Sequence, residues 1–198
     1  MVFAVIEGFS GTGKTTLATA LEDLGWLRIA ESAHLVQKEV PVADRADTLA
    51  DYSLVGATMA CSAVISGSRA SRNIVAEGYF LSDLAYARIR FDLGKSAAFP
   101  TLFDLVEKVL SEKALQPDVY LLLKARSDTI SKRQQNKGDR EKNLSEFFQT
   151  RYYSAIEEIH ERLGQTNVET VESDTDRGET LANLLAVLKK RHLLGTEP

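Results

Sequence analysis

The sequence predicts an α/β fold: a parallel sheet covered on both faces by helices. Two observations predict it. Short apolar runs alternate with longer stretches of helical periodicity along the whole chain. A glycine-rich turn, Gly8 to Gly13, joins the first apolar run directly to the first amphipathic stretch.

Val2–Ile6 reads as a buried strand, Trp26–Ala30 as a second and Asn73–Ala76 as a third. Asp118–Leu123, announced by Pro117, is the clearest, and Val168–Val171 is a weaker fifth. The first helix runs from Lys14 to Leu24, with Leu17, Leu21 and Leu24 on one face and Gly25 as its stop. Further helical patterns fall near 44–66, 80–93, 101–114, 127–136, 143–163 and 177–191. No repeat or linker divides the chain, so residues 1–198 are expected to form a single domain.

Apolar residues make up 44% and charged residues 26% of the 198 residues, which excludes wholesale disorder. Lys and Arg total 24 against 28 Asp and Glu, a net charge of -4. That balance argues against a broad nucleic-acid surface and leaves room for a local anion pocket. The single cysteine, Cys61, forms no internal disulfide and suits a reducing compartment. Val2–Ile6 is too short and lacks the basic flank of a leader, and Tyr52–Ser68 is too short and polar for a membrane span. The expectation is a soluble, cytoplasmic protein with no membrane partner. Helix 44–66 has apolar and small residues around most of its circumference from Leu54 to Ile65. Two readings fit: burial under neighbouring helices, or a homodimer interface.

Gly8-Phe-Ser-Gly-Thr-Gly-Lys-Thr15 satisfies G-x-x-x-x-G-K-[ST], with an apolar strand before it and a helix after it. This is a P-loop. Its glycines let backbone N–H groups converge on a phosphate, and the helix N-terminus adds its dipole. The candidate nucleotide-binding residues are Gly8, Ser10, Gly11, Thr12, Gly13, Lys14, Thr15 and Thr16. Lys14 would meet the β- and γ-phosphates of ATP, and the Thr15 hydroxyl would ligate Mg²⁺.

In parallel sheets, chemistry sits beyond the carboxyl ends of the strands. Glu31 follows the second strand and Glu77 the third. Each is a candidate for holding Mg²⁺ or its water, or for acting as general base to an attacking hydroxyl. Glu7 also ends a strand but lies inside the P-loop turn and is the weaker candidate for direct chemistry. Residues 126–140 carry five cations, Arg126, Lys132, Arg133, Lys137 and Arg140. A basic flap over the P-loop would neutralise charge developing on the phosphates. Tyr79, Phe80 and Tyr86 either stack on an acceptor ring or fill the core.

Taken in order along the chain, these segments resemble the thymidylate kinase and deoxynucleoside kinase family. Residues 5–16 look like its P-loop, and Ala30-Glu31-Ser32 is similar to its acid after the second strand. Ile74–Glu77 followed by Ser82-Asp-Leu-Ala-Tyr86 resembles its third-strand motif, and 121–141 its lid. Glu146-Phe-Phe and Arg151-Tyr-Tyr resemble the helix that follows. The resemblance implies a three-layer α/β/α P-loop fold with a five-stranded parallel sheet in the order 2-3-1-4-5 and a helical lid at about 126–140. It also implies a phosphotransferase using ATP and Mg²⁺. Lys14 and Thr15 would serve phosphate and Mg²⁺, Glu77 the metal or acceptor, and Glu31 would be a base or a ligand to metal-bound water. Arg133 would lie near adenine, and Lys137 and Arg140 would clamp phosphates.

Three positions depart from the family pattern. Gly78 stands where the family has Arg, residues 46–68 contain no Arg or Lys, and Ser10 replaces a charged P-loop residue. With two phosphate-gripping cations missing, the expected acceptor is a hydroxyl of a nucleoside-like small molecule. Arg45, Arg69, Arg72, Arg88 and Arg90 are the cations left to substitute. The alternatives are a nucleoside monophosphate kinase, a kinase acting on a modified nucleoside or antibiotic, and a nucleotide-sensing NTPase.

Overall fold

The computed structural model describes residues 1–33, 48–135 and 146–194. Its five strands are β1 (Phe3–Gly8), β2 (Leu27–Ile29), β3 (Ile74–Glu77), β4 (Val119–Lys124) and β5 (Val168–Glu172). They form one sheet in the order β2-β3-β1-β4-β5, as the family resemblance implies. Every pairing is parallel, with Ile6 opposite Glu77 on one side of β1 and Leu121 on the other. β1 is central, and the chain leaves it first to one side and then to the other. Its carboxyl end is therefore the point where strand order reverses and ligands collect.

Among the described residues seven α-helices cover the sheet: α1 (Lys14–Asp23), α2 (Thr48–Ser68), α3 (Phe80–Asp92), α4 (Phe99–Leu110), α5 (Ser127–Gln135), α6 (Glu146–Arg162) and α7 (Arg177–Lys190). Strand alternation sorts the core into two layers. Phe3, Val5, Ile74, Ala76, Tyr120 and Leu122 face α2, α3, α4 and α6. Ala4, Ile6, Val75, Leu121 and Leu123 face Leu17 and Leu21 of α1 and Leu184 and Leu188 of α7. Strands buried on both faces explain why β1 and β4 read as unbroken apolar runs rather than as alternation.

The helix expected over 101–114 runs instead from Phe99 to Leu110, and a short 3₁₀ turn at Lys113–Leu115 follows it. Pro100 fits the first turn, where its missing N–H costs nothing. Helix α7 starts where expected because Asp176 caps it, its Oδ1 accepting N–H groups of Gly178 at 2.7 Å and Glu179 at 3.0 Å.

Helix α2 begins at Thr48, ahead of the 52–68 stretch read from the sequence, and against that reading it is long and apolar enough to cross a membrane by length and composition. One side packs into the protein through Asp51, Leu54, Val55, Thr58, Ser62 and Ile65, while Leu49, Tyr52 and Val64 are exposed. The helix thus has the buried stripe that the first reading expects, and Leu49, Tyr52 and Val64 outside it.

Candidate active site

The turn after β1 and the start of α1 shape a cavity of about 380 Å³ at the carboxyl edge of the sheet. Ser10 through Leu17 form its floor, Glu31 one side, and Arg133 with the Thr175–Arg177 segment the other. Gly13 carries φ 101°, and a Cβ there would meet no atom within 4 Å. The strain of a side chain, and the space left beside the backbone, both suit a loop that must lie against a ligand. Gly13 is followed by the first turn of α1, whose early N–H groups have no carbonyl one turn back within the helix. This is the ready-made anion site of a helix N-terminus.

Lys14 turns back over the loop. Its Nζ donates to the Gly8 carbonyl at 2.8 Å and lies 3.8 Å from Glu31 Oε2. Glu31 also lies over Gly78, with its Cγ 3.7 Å from where a Cβ would stand. The arrangement thus puts one cation and one carboxylate at the same wall of the cavity. The oxygen donors there, the Thr15 hydroxyl and Glu31, suit Mg²⁺, which takes hard oxygen ligands and shares them with phosphates.

Arg133 lies on the opposite wall. Its guanidinium donates to the carbonyls of Ser173 at 2.7 Å, Thr175 at 3.2 Å and Thr12 at 3.4 Å. Three carbonyls from two loops hold its planar fork in one orientation. Beside it Gln134 Nε2 donates to the Ser10 carbonyl at 3.1 Å. Helix α5 is thereby fastened to the P-loop. The other two expected clamp residues, Lys137 and Arg140, lie outside the described residues, as does Arg45.

Glu77 is not among the residues that line this cavity. Alternation along β3 turns it to the α1 side, where Arg28 Nε meets its Oε1 at 2.5 Å. Glu77 is fully buried, and its Oε2 has no hydrogen-bond partner among the described residues. The Tyr79 ring packs in the core between Phe3 and Phe80, instead of facing an acceptor. Arg88 is also turned away: it pairs with Asp92 and Glu158 and stacks on Phe99. Tyr86 is partly buried between Tyr152 and the Arg90 guanidinium.

A buried polar network borders Glu31 that the expected residue set did not include. Ser32 Oγ and Thr58 Oγ1 are 2.7 Å apart, and Thr58 Oγ1 donates to Asp83 Oδ2 at 2.5 Å. Arg90 Nε donates to Asp51 Oδ1 at 2.7 Å, and Asp51 Oδ2 is buried without a partner among the described residues. Burial, with the charges of Glu31 and Asp51, raises the Asp83 carboxyl to about 7 against the hydrogen bond from Thr58 and the Arg90 charge. Spacing holds the signal for this stripe. Asp83, Tyr86 and Arg90 recur at three- and four-residue intervals, so they share one face of α3.

No protein-family model matches the chain, and no curated protein matches it. Solved structures do. Deoxyadenosine kinase from M. mycoides with bound dATP superposes with a TM-score of 0.72 at 18% identity, covering 94% of this chain and 99% of that one. The same kinase with bound dCTP gives 0.67 at 18% identity over 95% and 99% of the two chains. Thymidylate kinase from Candida albicans gives 0.68 at 20% identity over 99% and 95%. The chain therefore has the P-loop α/β fold of these nucleoside and nucleotide kinases over nearly its whole length.

Proposed function

We propose that the protein is a kinase that transfers the γ-phosphoryl group of ATP to a hydroxyl of a nucleoside-like molecule. The observation that carries this reading is the 3.8 Å approach of Lys14 Nζ and Glu31 Oε2 at the cavity wall. It puts a phosphate-seeking cation and a candidate base side by side, where donor and acceptor must meet. Two of the solved neighbours are a deoxyadenosine kinase and a thymidylate kinase, and the fold is common to all three.

In this mechanism the P-loop amides and Lys14 bind the triphosphate. Arg133, fixed by its three carbonyls, flanks the nucleobase end with Thr175. The acceptor lies against Glu31 and the Ser32–Thr58–Asp83 network. Its hydroxyl oxygen attacks the γ-phosphorus, its proton passes to the Glu31 carboxylate, and the bond to the bridging oxygen breaks to release ADP. Mg²⁺, when bound by Thr15 and the phosphates, supplies charge neutralisation to the transferring group.

The paired state of the acceptor-side cations favours a neutral acceptor. Among the described residues, Arg90 is bound to Asp51, and Arg88 is turned to Asp92 and Glu158. A phosphate dianion brought beside ATP needs a cation of its own to offset repulsion. Assay of ATP consumption with a panel of nucleosides and their monophosphates tests the reading. Transfer to a nucleoside, lost in Lys14→Ala, supports it. Clear preference for monophosphates over the parent nucleosides overturns the hydroxyl acceptor, and consumption independent of every acceptor overturns the kinase.

A further inference from the structure

Glu7 is the last side chain before the P-loop glycine, and it is completely buried. It faces the α3 and α6 side of the sheet, away from Lys14's helix. Its Oε1 accepts the Tyr79 N–H at 3.0 Å, and its Oε2 accepts the Ser82 hydroxyl. Ser82 Oγ in turn lies 2.7 Å from the Tyr152 hydroxyl on α6. Tyr79 immediately precedes α3 and Ser82 is in its first turn, yet Tyr79's own side chain caps nothing. The start of α3 is therefore tied to another element, by a carboxyl on β1 that takes the Tyr79 N–H and the Ser82 hydroxyl.

The backbone explains why such a tie is needed. The sheet fixes β3 to β1 up to Gly78, whose N–H donates to the Ile6 carbonyl at 2.8 Å. Gly78 then adopts φ 66°, a left-handed pivot, before α3 departs. Strand pairing does not set the direction of a helix that leaves through a glycine pivot. Glu7 reaches past the pivot and takes hold of α3 on its far side. One residue further on, the Gly8 carbonyl receives Lys14 Nζ. One residue beyond Ser82, Asp83 joins the Thr58 network. Phe9 and Tyr152 add a ring contact at 5.7 Å, so α6 is strapped to the same point.

We propose that Glu7 is a positioning residue that sets α3, the acceptor-side helix, in register with the phosphate-binding loop, with Ser82 and Tyr152 completing the tie. The proposal rests on the kinase reading for its kinetic consequence. Donor and acceptor sit on different elements, and transfer needs their reacting atoms within a narrow range of separation; a displacement of about 1 Å costs on the order of 100-fold. A buried side chain serving only the fold would affect stability and leave turnover of the folded protein alone.

The test uses Ser82→Ala and Tyr152→Phe, which delete one hydroxyl each, and Glu7→Gln beside Glu7→Leu. Steady-state kinetics at saturating ATP should show kcat reduced about 10-fold or more in Ser82→Ala and Glu7→Leu, with KM for ATP within about twofold. Glu7→Gln keeps an acceptor for Tyr79 and a polar partner for Ser82, and should recover most of the loss. A second arm reads amide hydrogen exchange with and without a non-hydrolysable ATP analogue. The analogue should slow exchange at residues 79–83 in the wild type, and Ser82→Ala should abolish that slowing while residues 8–16 remain protected. Ser82→Ala and Tyr152→Phe with wild-type kinetics, or an analogue that leaves 79–83 unchanged in the wild type, overturns the proposal. Wild-type protein that phosphorylates no acceptor overturns the kinase reading instead, and the exchange arm then decides this one.

Discussion

Lys14 Nζ and Glu31 Oε2 stand 3.8 Å apart across the mouth of the P-loop. The two side chains are brought together by different strands, since Lys14 opens the helix after β1 and Glu31 follows β2. Their roles separate by substitution. Glu31→Gln keeps the shape and removes the base, so transfer should fall on the order of 10²- to 10⁴-fold while ATP-analogue affinity is retained. Lys14→Ala should lose both. Calorimetric titration with the analogue, run beside the transfer assay, distinguishes them. Equal loss of nucleotide affinity in both variants would remove Glu31 from the base role.

Arg28 and Glu77 make a second prediction, of stability rather than turnover. Glu77 is fully buried, and Arg28 is its cationic partner among the described residues. Arg28→Ala leaves an uncompensated carboxylate in the interior, at a cost of about 3 kcal/mol, the low end for such pairs because Arg28 itself is partly exposed. Replacing both, Arg28→Met with Glu77→Met, should recover most of that loss. Urea denaturation curves measure it. Should Arg28→Ala unfold at the wild-type midpoint, the pair is not what neutralises Glu77.

Arg133 supplies a third. Its guanidinium spans the Thr12 carbonyl of the P-loop and the Ser173 and Thr175 carbonyls beyond β5. A lysine has the charge but lacks the planar fork that meets several acceptors at once. Arg133→Lys should therefore weaken ATP-analogue binding nearly as much as Arg133→Ala, by about 10-fold. Full rescue by lysine would mean that charge alone matters and that the three carbonyls do not orient the group.

The sheet and its P-loop were legible because local pattern and global fold agree there. The apolar runs of β1 and β4 are buried on both faces, and the glycine spacing of 8–13 has one structural meaning. The fate of Glu77 was less legible. Its position at a strand end suggests a site, but the period of two along β3 puts it with Val75 on the α1 side, and that same period puts Arg28 of β2 there to meet it. Arg88 and Arg90 differ by two residues on a helix and so point to different sides. Choosing the one that turns toward Asp51 needs the phase of the helix against the sheet, which composition does not carry. Tyr79 carried two readings in the sequence, an acceptor platform or core packing. The left-handed turn at Gly78 sends it into the core, and that turn is not readable from the glycine alone.

Glu7 and Asp83 predict how stability follows pH. Burial raises the Glu7 carboxyl to about 8, against the Ser82 and Tyr79 hydrogen bonds and the Lys14 charge, while the nearby Asp83 charge adds to the rise. Asp83 is raised to about 7, with Glu31 and Asp51 adding to the burial effect and Thr58 and Arg90 opposing it. Both folded values lie above the ordinary ones of 4.5 and 3.8. The folded protein therefore holds protons that the unfolded chain has released. The stability each protonated group contributes is fully present below its unfolded value and is lost as pH rises through its folded value. The loss has a slope of at most about 1.4 kcal/mol per pH unit per group. For Asp83 the window closes near pH 7, and for Glu7 near pH 8. Glu7→Gln cannot ionise, so its stability should decline less steeply than that of the wild type between about pH 5 and pH 8. Asp83→Asn should flatten the lower part of the same window. Unfolding free energies measured by urea at half-unit pH intervals give the difference curves directly. A Glu7→Gln curve parallel to the wild type throughout that range would show that Glu7 keeps its charge in the folded protein.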